Sequence, residues 1–196
     1  MELPEDDECA INRFISWVYG GSIPAFEFKI KDREEAHASI LIASHILPLV
    51  SLANRLCINE FTNQVVDVIQ DWLLKERWTF APQDVPRIYE ITSAESPFRL
   101  LCAGAVALRL KFQPNVLEEY TGIELEHPEF FKHIVAFQNK HWRQLYVKDA
   151  DPRIHVRSGL GIFADVRGLG NQCLFHTHAE GEICHLEKLT EPSNAD

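Results

Sequence analysis

Apolar side chains recur every three or four residues along most of the first 147 positions of the chain. This spacing places them on one face of a helix and is typical of amphipathic helices packed on a core. It predicts helices over residues 6–19, 32–56, 61–73, 85–92, 98–110 and 130–147. Asp6 or Asp7 can cap the first helix, and Gly20-Gly21 can end it. Pro48 predicts a break or kink in the second helix because it lacks a backbone N–H.

Two segments lack this helical period. Residues 22–30 contain Pro24 and an alternation of Phe26, Phe28 and Ile30, which predicts a short strand or an extended connector. From about residue 150 onward, glycines and a proline interrupt the chain without a sustained period, which favours loops, short strands and a tail. The predicted fold class is therefore mostly α, with few or no strands and an irregular C-terminal tail.

Composition and charge narrow the function classes. Hydrophobic residues at 46 % and charged residues at 24 % are typical of a globular protein, and the formal net charge is −10. Such a charge argues against a nucleic acid as the main partner, because phosphate binding depends on clustered Lys and Arg. The acidic N-terminus lacks the positive start of a secretory signal, and no uninterrupted apolar run approaches a membrane span. We therefore expect an intracellular protein, in cytoplasm or nucleus, with no membrane partner.

The cysteines agree with a reducing compartment. The chain has five of them, an odd number that does not describe a disulfide framework. Cys9, Cys57 and Cys102 lie in apolar helical patterns, and we expect them to be small buried side chains.

Several phrases within residues 14–99 stand out when they are read together. They are Phe14-Ile15-Ser16-Trp17-Val18-Tyr19-Gly20-Gly21, Leu52-Ala53-Asn54-Arg55-Leu56-Cys57-Ile58, Phe61-Thr62-Asn63-Gln64-Val65-Val66-Asp67, Ile88-Tyr89-Glu90-Ile91-Thr92 and Ser96-Pro97-Phe98-Arg99. Together they resemble the later half of the BTB/POZ domain as it appears in many fungal proteins. The order and spacing follow the family. Gly20, Asn54, Phe61 and Phe98 depart from its usual Thr, Asp and leucines. The sheet-forming first half of the family domain has no counterpart, so the homodimer and cullin-recruiting surfaces of the family are not carried over.

The resemblance implies a partial BTB/POZ-like helical region over residues 1–112, a helical extension over 113–149 and a loop-rich tail over 150–196. It implies a non-enzymatic protein–protein interaction module, such as an adaptor fragment. Its partner would be a protein, and its oligomeric state is left open. The expected interaction or core anchors are Phe14, Trp17, Tyr19, Leu52 and Leu56.

Polar residues within the helical region favour structural roles. Asn63 and Asp67 lie four positions apart, so in a helix they share a face and can act as a polar pair toward a loop. A catalytic carboxylate is the alternative, but no second acid, base or metal ligand lies near them in sequence. Arg99 is expected to pair with a local acid or a helix carbonyl, and Ser96 can cap a helix that begins at Pro97.

The stretch from Cys173 to His185, written CLFHTHAEGEICH, concentrates potential metal ligands in the tail. Zinc prefers four Cys or His ligands, and Cys173, His176, His178 and Cys184 supply such a set. His185 is an alternative to Cys184 after a turn at Gly181. Zinc at a structural site is therefore one hypothesis for this stretch, and zinc is the candidate cofactor.

Two other interpretations of this stretch stay open. All its ligand types fall within about a dozen residues, whereas familiar zinc modules separate two pairs by a longer loop, so a polar tail or a docked loop is the favoured interpretation. A catalytic zinc with Glu180 or Glu182 as general base is a weaker hypothesis, because nothing else in the chain indicates a substrate pocket. No serine or cysteine has the setting of a nucleophile, and we predict no enzymatic activity.

Overall fold

The computed structural model describes residues 7–28, 35–142 and 174–185. Eight α-helices lie in these ranges, with no β-strand among them: α1 (Glu8–Gly20), α2 (Glu35–Leu41), α3 (Leu47–Leu56), α4 (Asn59–Lys75), α5 (Asp84–Ile91), α6 (Pro97–Phe112), α7 (Ile123–Glu126) and α8 (Pro128–Trp142). A π-turn, Ile42–Ile46, joins α2 to α3, and a 3₁₀-helix, Pro114–Tyr120, precedes α7. The helical, strand-free architecture is confirmed for the described residues. The predicted helix beyond residue 142, and the tail outside 174–185, lie outside them.

Helix α1 begins and ends where its sequence predicts. The Asp7 side chain accepts a hydrogen bond from the Ala10 amide at 3.1 Å, which satisfies one of the free N–H groups of the first turn. Gly21 follows the helix at φ 72°, and its amide donates to the Trp17 carbonyl. The described part of the segment after it, residues 22–28, forms a connector and not a strand, and Phe26 in it is buried.

Pro48 widens the second helix instead of breaking it. Proline cannot donate to the carbonyl one turn earlier, and the chain inserts a π-turn directly before α3. Within it, the Leu47 amide donates to Ile42, five residues back. The helix therefore continues past the proline, and the disruption predicted there takes the form of a π-turn and not of a break.

The stretch His37–Leu56 is long and apolar enough to cross a membrane by length and composition alone, and 39 % of its apolar 18-residue window is buried inside the protein. Core helices of globular proteins pass the same test. Its residues Ile42, Ile46, Leu49 and Leu52 belong to the hydrophobic core.

Helix α6 lies at the centre of the molecule. Nearly all of its residues from Phe98 to Leu108 are buried, so it is apolar on all sides, as expected of a helix surrounded by others. Helix α8 packs closely against it at Gly104, where an added Cβ would lie 2.8 Å from the Phe137 ring. Residues of the 3₁₀-helix, α7 and α8 contribute to the same core as α1 to α6: Val116, Tyr120, Ile123, Phe130, Ile134 and Phe137.

Arg99 ties α5, α6 and α8 together. Its guanidinium donates to the carbonyls of Tyr89 and Thr92 at 2.6 Å each, and it pairs with Glu129 at 3.2 Å. The predicted helix carbonyls are confirmed, whereas the acid, Glu129, is 30 positions away in the sequence and is not a local one. Helix α6 does begin at Pro97, but the Ser96 side chain makes no capping hydrogen bond, so that detail is wrong.

The cysteine prediction is only partly right. Cys102 is buried in α6, where burial raises the pKa of its thiol well above the ordinary value. Cys9 and Cys57 are exposed. Cys9 lies in the first turn of α1, and Cys57 is the left-handed residue that ends α3 at φ 53°, so neither faces the core.

Candidate metal centre

The segment 174–185 docks on the helical domain through an aromatic anchor. Phe175 is 3 % exposed, and its ring lies nearly parallel to Phe137 of α8, with centroids 6.2 Å apart. Leu174 packs beside it against the core. Further along, a turn closes at Gly181, whose φ of 78° favours glycine, and the Ala179 amide donates to the Glu182 carboxylate at 2.7 Å. The segment therefore folds back on itself while attached to α8.

Helix α4 supplies the second attachment through Asn63. Its side-chain oxygen accepts from the Thr177 amide at 2.9 Å, and its side-chain nitrogen donates to the Thr177 carbonyl at 3.0 Å. Asn63 thus satisfies both backbone groups of one residue 114 positions away. Asp67, one turn further along α4, faces the same segment. The prediction that these two residues form a polar pair toward a loop is confirmed.

Asp67 holds two histidines at once. One carboxylate oxygen lies 2.7 Å from Nε2 of His176, and the other lies 2.6 Å from Nε2 of His185. An ionised carboxylate can only accept, so each Nε2 carries the hydrogen. In a neutral imidazole this leaves the lone pair on Nδ1. Both histidines are therefore oriented with Nδ1 available as a ligand atom.

The two Nδ1 atoms converge on the thiol of Cys184. The Cys184 sulfur lies 3.4 Å from Nδ1 of His176 and 4.0 Å from Nδ1 of His185. The ligand atoms of the three residues all lie within 4.8 Å of one another. Zn–N bonds of about 2.05 Å and a Zn–S bond of about 2.3 Å at tetrahedral angles place nitrogen and sulfur about 3.6 Å apart. The observed distances bracket this value, and the group could hold a metal ion.

The group is shielded from solvent. The side chain of His176 is 1 % exposed, and Cys184 is buried. His185 and Asp67 are only slightly more accessible, with side chains 11 % and 14 % exposed. Solvent therefore reaches the three ligand atoms poorly, so the protein's own groups set the environment of a bound ion.

The structure brings together two of the four predicted ligands. His176 and Cys184 share the group, and His185 joins them beside Cys184 instead of replacing it. Cys173 lies outside the described residues. His178 lies next to the group, with its ring centred 5.8 Å from that of His176. Neither of its ring nitrogens is exposed or has a hydrogen-bond partner among the described residues, an arrangement that costs about 1–3 kcal/mol for a buried polar group.

Asp67 is the residue whose part in this group the sequence did not predict. Its spacing from Asn63 indicated a loop-facing carboxylate, but nothing indicated that the loop would carry histidines. The acids proposed as catalytic bases have other surroundings. Glu180 is exposed, and Glu182 accepts a hydrogen bond within the turn.

The predicted anchors fall into three classes of burial. Leu52 is in the core, whereas Phe14, Trp17 and Leu56 are partly buried and packed against it. The rings of Phe14 and Trp17 each contact Phe61 of α4, with centroids 5.1 Å apart. Tyr19 is 88 % exposed. Of these five side chains, only Tyr19 therefore exposes most of its surface to solvent.

The geometry of the docked segment is the main basis for a function. The BTB/POZ resemblance stays a prediction that rests on the phrases quoted above. Comparisons with protein-family models, with curated proteins and with solved structures gave no match.

Proposed function

We propose that this chain is a non-enzymatic zinc-binding protein in which the ion has a structural role. The observation that supports this most directly is the convergence of His176 Nδ1, Cys184 Sγ and His185 Nδ1 above the carboxylate of Asp67. The ion would lock the fold of residues 176–185, and that folded segment would hold its place on α4 and α8.

The donor set favours zinc over magnesium and calcium. Thiolate and imidazole together suit Zn²⁺, whereas Mg²⁺ and Ca²⁺ prefer oxygen ligands. A carboxylate that accepts the second N–H of a ligating histidine is the usual outer partner in zinc sites, where it fixes the tautomer and raises the basicity of the ligand. Here one carboxylate does this for both histidines. The residues present therefore fit zinc at the level of the ligands and of their supports.

A structural role is favoured over a hydrolytic one. A catalytic zinc needs a general base that can reach the bound water. Both Asp67 oxygens are engaged by the two histidines, and Glu182 is engaged in the turn.

The decisive measurement is the zinc content of protein purified without a histidine tag. We expect about one equivalent per chain, and Cys184→Ser and His185→Ala should each lose most of it. Cys57→Ser is the matched control, because this cysteine is exposed at the end of α3. Less than about a tenth of an equivalent in the unaltered protein would overturn the proposal.

A second function, a BTB/POZ-type protein interaction, is favoured by the outer face of α1. Ile15, Val18 and Tyr19 lie three and four positions apart, on one side of the helix, and are 45 %, 53 % and 88 % exposed. Large exposed apolar groups that lie together are typical of protein contacts. We propose that this face binds a protein partner, or a second copy of the chain, inside the cell.

Dye binding and light scattering test the interaction proposal. Val18→Ser with Tyr19→Ser should lower the binding of an apolar dye and any self-association. Ile40→Ser is the control, because Ile40 is 64 % exposed on a different helix. A monomer that binds no dye, and whose behaviour the double substitution leaves unchanged, would contradict it.

A further inference from the structure

We infer that His178 is the fourth ligand of the metal site, which gives a closed centre of one cysteine and three histidines. This inference rests on the proposed zinc-binding function and assigns the coordination position that His176, Cys184 and His185 leave open. Three features of His178 support this assignment: the side of the segment on which it lies, its buried ring nitrogens without partners among the described residues, and the distance of its ring from that of His176.

Alternating burial places His178 on the same side of the segment as His176. Residues 176–179 form neither a helix nor a turn, and both ring nitrogens of His178 are buried. Thr177, between the two histidines, is exposed, while the side chain of His176 is almost fully buried. The Thr177 backbone is held on both sides by Asn63, which fixes this alternation.

The imidazole of His178 has its polar atoms buried without partners. Both ring nitrogens are shielded from solvent, and neither makes a hydrogen bond within the described part of the chain. The other two histidines of the segment each have both nitrogens next to Asp67 or Cys184. A buried, unpaired nitrogen calls for an unseen partner, such as an ion. A metal bound between the rings would supply that partner.

The ring separations fit shared coordination. Two imidazoles on one tetrahedral ion have ring centres about 5.2 Å apart, because each centre lies about 3.2 Å from the metal. His176 and His185 are already at 5.2 Å, and His176 and His178 are at 5.8 Å. Relative to His176 alone, the His178 ring is therefore about 0.6 Å beyond the spacing of a ligand, and its nitrogens must move to join the group formed by His176, Cys184 and His185. A fourth protein ligand also leaves no position for a catalytic water, which is the mark of a structural site.

X-ray absorption of the zinc-loaded full chain tests this assignment. We expect one sulfur at about 2.3 Å and three nitrogens at about 2.0–2.1 Å. Two sulfurs would assign the fourth position to another cysteine, with Cys173 the first candidate, and would overturn the inference while leaving zinc binding intact. Two nitrogens, one sulfur and a water oxygen would also overturn it. A chain that binds no zinc would overturn the proposed function itself.

Substitutions give an independent measurement. His178→Ala should weaken zinc binding by more than the roughly 10–100-fold that loss of an outer-shell partner causes. Glu180→Gln, two residues away and exposed, should leave the affinity unchanged. With cobalt in place of zinc, His178→Ala should alter the visible spectrum of a four-coordinate ion, whereas Cys173→Ser should not. If Cys173→Ser alters the spectrum and His178→Ala leaves it unchanged, His178 is not a ligand.

Discussion

Replacing Asp67 with asparagine tests how one carboxylate supports two ligands. The carboxylate accepts hydrogen bonds from Nε2 of His176 and of His185, at 2.7 and 2.6 Å. An asparagine has one oxygen that accepts and one amide nitrogen that only donates. The asparagine oxygen can therefore keep one histidine in the tautomer with a free Nδ1. The Nε2 atom of the other histidine lies next to the asparagine NH₂ group, which is also a donor. That second histidine is pushed to carry its hydrogen on Nδ1, where it cannot bind a metal.

The size of the effect follows from these contacts. Loss of one outer partner of a ligating histidine typically weakens metal binding 10–100-fold. This corresponds to about 1.4–2.8 kcal/mol, since each factor of ten is about 1.4 kcal/mol. Because one of the two contacts of Asp67 is lost and the other is weakened, we expect Asp67→Asn to fall within this range, with the protein still folded.

A competition titration against a chelator of known affinity measures this difference. Asp71→Asn is the matched control, since Asp71 lies one turn further along α4 and is exposed. Circular dichroism would establish that both variants keep their helices. An affinity for Asp67→Asn within a factor of two of the unaltered protein would refute the argument that the carboxylate fixes the tautomers.

Two further predictions concern stability. Gly104→Ala should lower the free energy of unfolding by about 1 kcal/mol in urea denaturation, because the steric cost of about 1–3 kcal/mol against Phe137 exceeds the gain in helix propensity. A Cβ added at Gly20 meets nothing within 4 Å, so the control Gly20→Ala should not lower the free energy of unfolding. Equal effects of the two substitutions would contradict the packing argument. Burial, followed by the charge of a nearby arginine, lowers the pKa of His133 below its ordinary 6.5, and its Nδ1 lies 2.8 Å from the Tyr89 hydroxyl. As the pH falls, His133 of the unfolded chain is protonated before His133 of the folded protein, so its contribution to stability should be fully present above pH 6.5 and be lost below it. His133→Gln should reduce this loss of stability at low pH. An identical dependence of stability on pH in both proteins would contradict this reasoning.

The helices were predictable because each carries its own signal. Asp7, an apolar stripe and Gly21 define α1 within a few residues, and these interactions are local. The outcome at Pro48 was not predictable from the same rules. Proline removes one hydrogen bond in every helix, but whether the helix breaks or widens depends on the tertiary contacts of the flanking turns, which include the buried Ile42 and Ile46.

The two parts of the candidate site were predictable from the sequence, but their contact was not. The ligand-rich tail and the polar pair on α4 were each visible in the sequence, but residues 63–67 and 176–185 are more than a hundred positions apart. No local pattern states that they meet. The cysteines show the same limit of local sequence patterns. Cys9 and Cys57 have apolar neighbours in the sequence, but both side chains are exposed in the structure. Residue type and spacing identify chemistry, whereas the orientation of a turn decides what that chemistry faces.

The contact of Asp67 with the tail couples two steps, the closure of a short loop within the tail and the docking of the tail on α4. The two steps join residues at very different separations along the chain. His176 and Cys184 are eight positions apart, whereas Asp67 is 109 positions from His176. Closing the short loop around an ion is entropically cheaper than closing the long one. Under the proposed function, docking on α4 raises the affinity for zinc, and zinc must raise the affinity of docking by the same factor. The fraction of chains with a docked tail would then follow the concentration of free zinc around the protein.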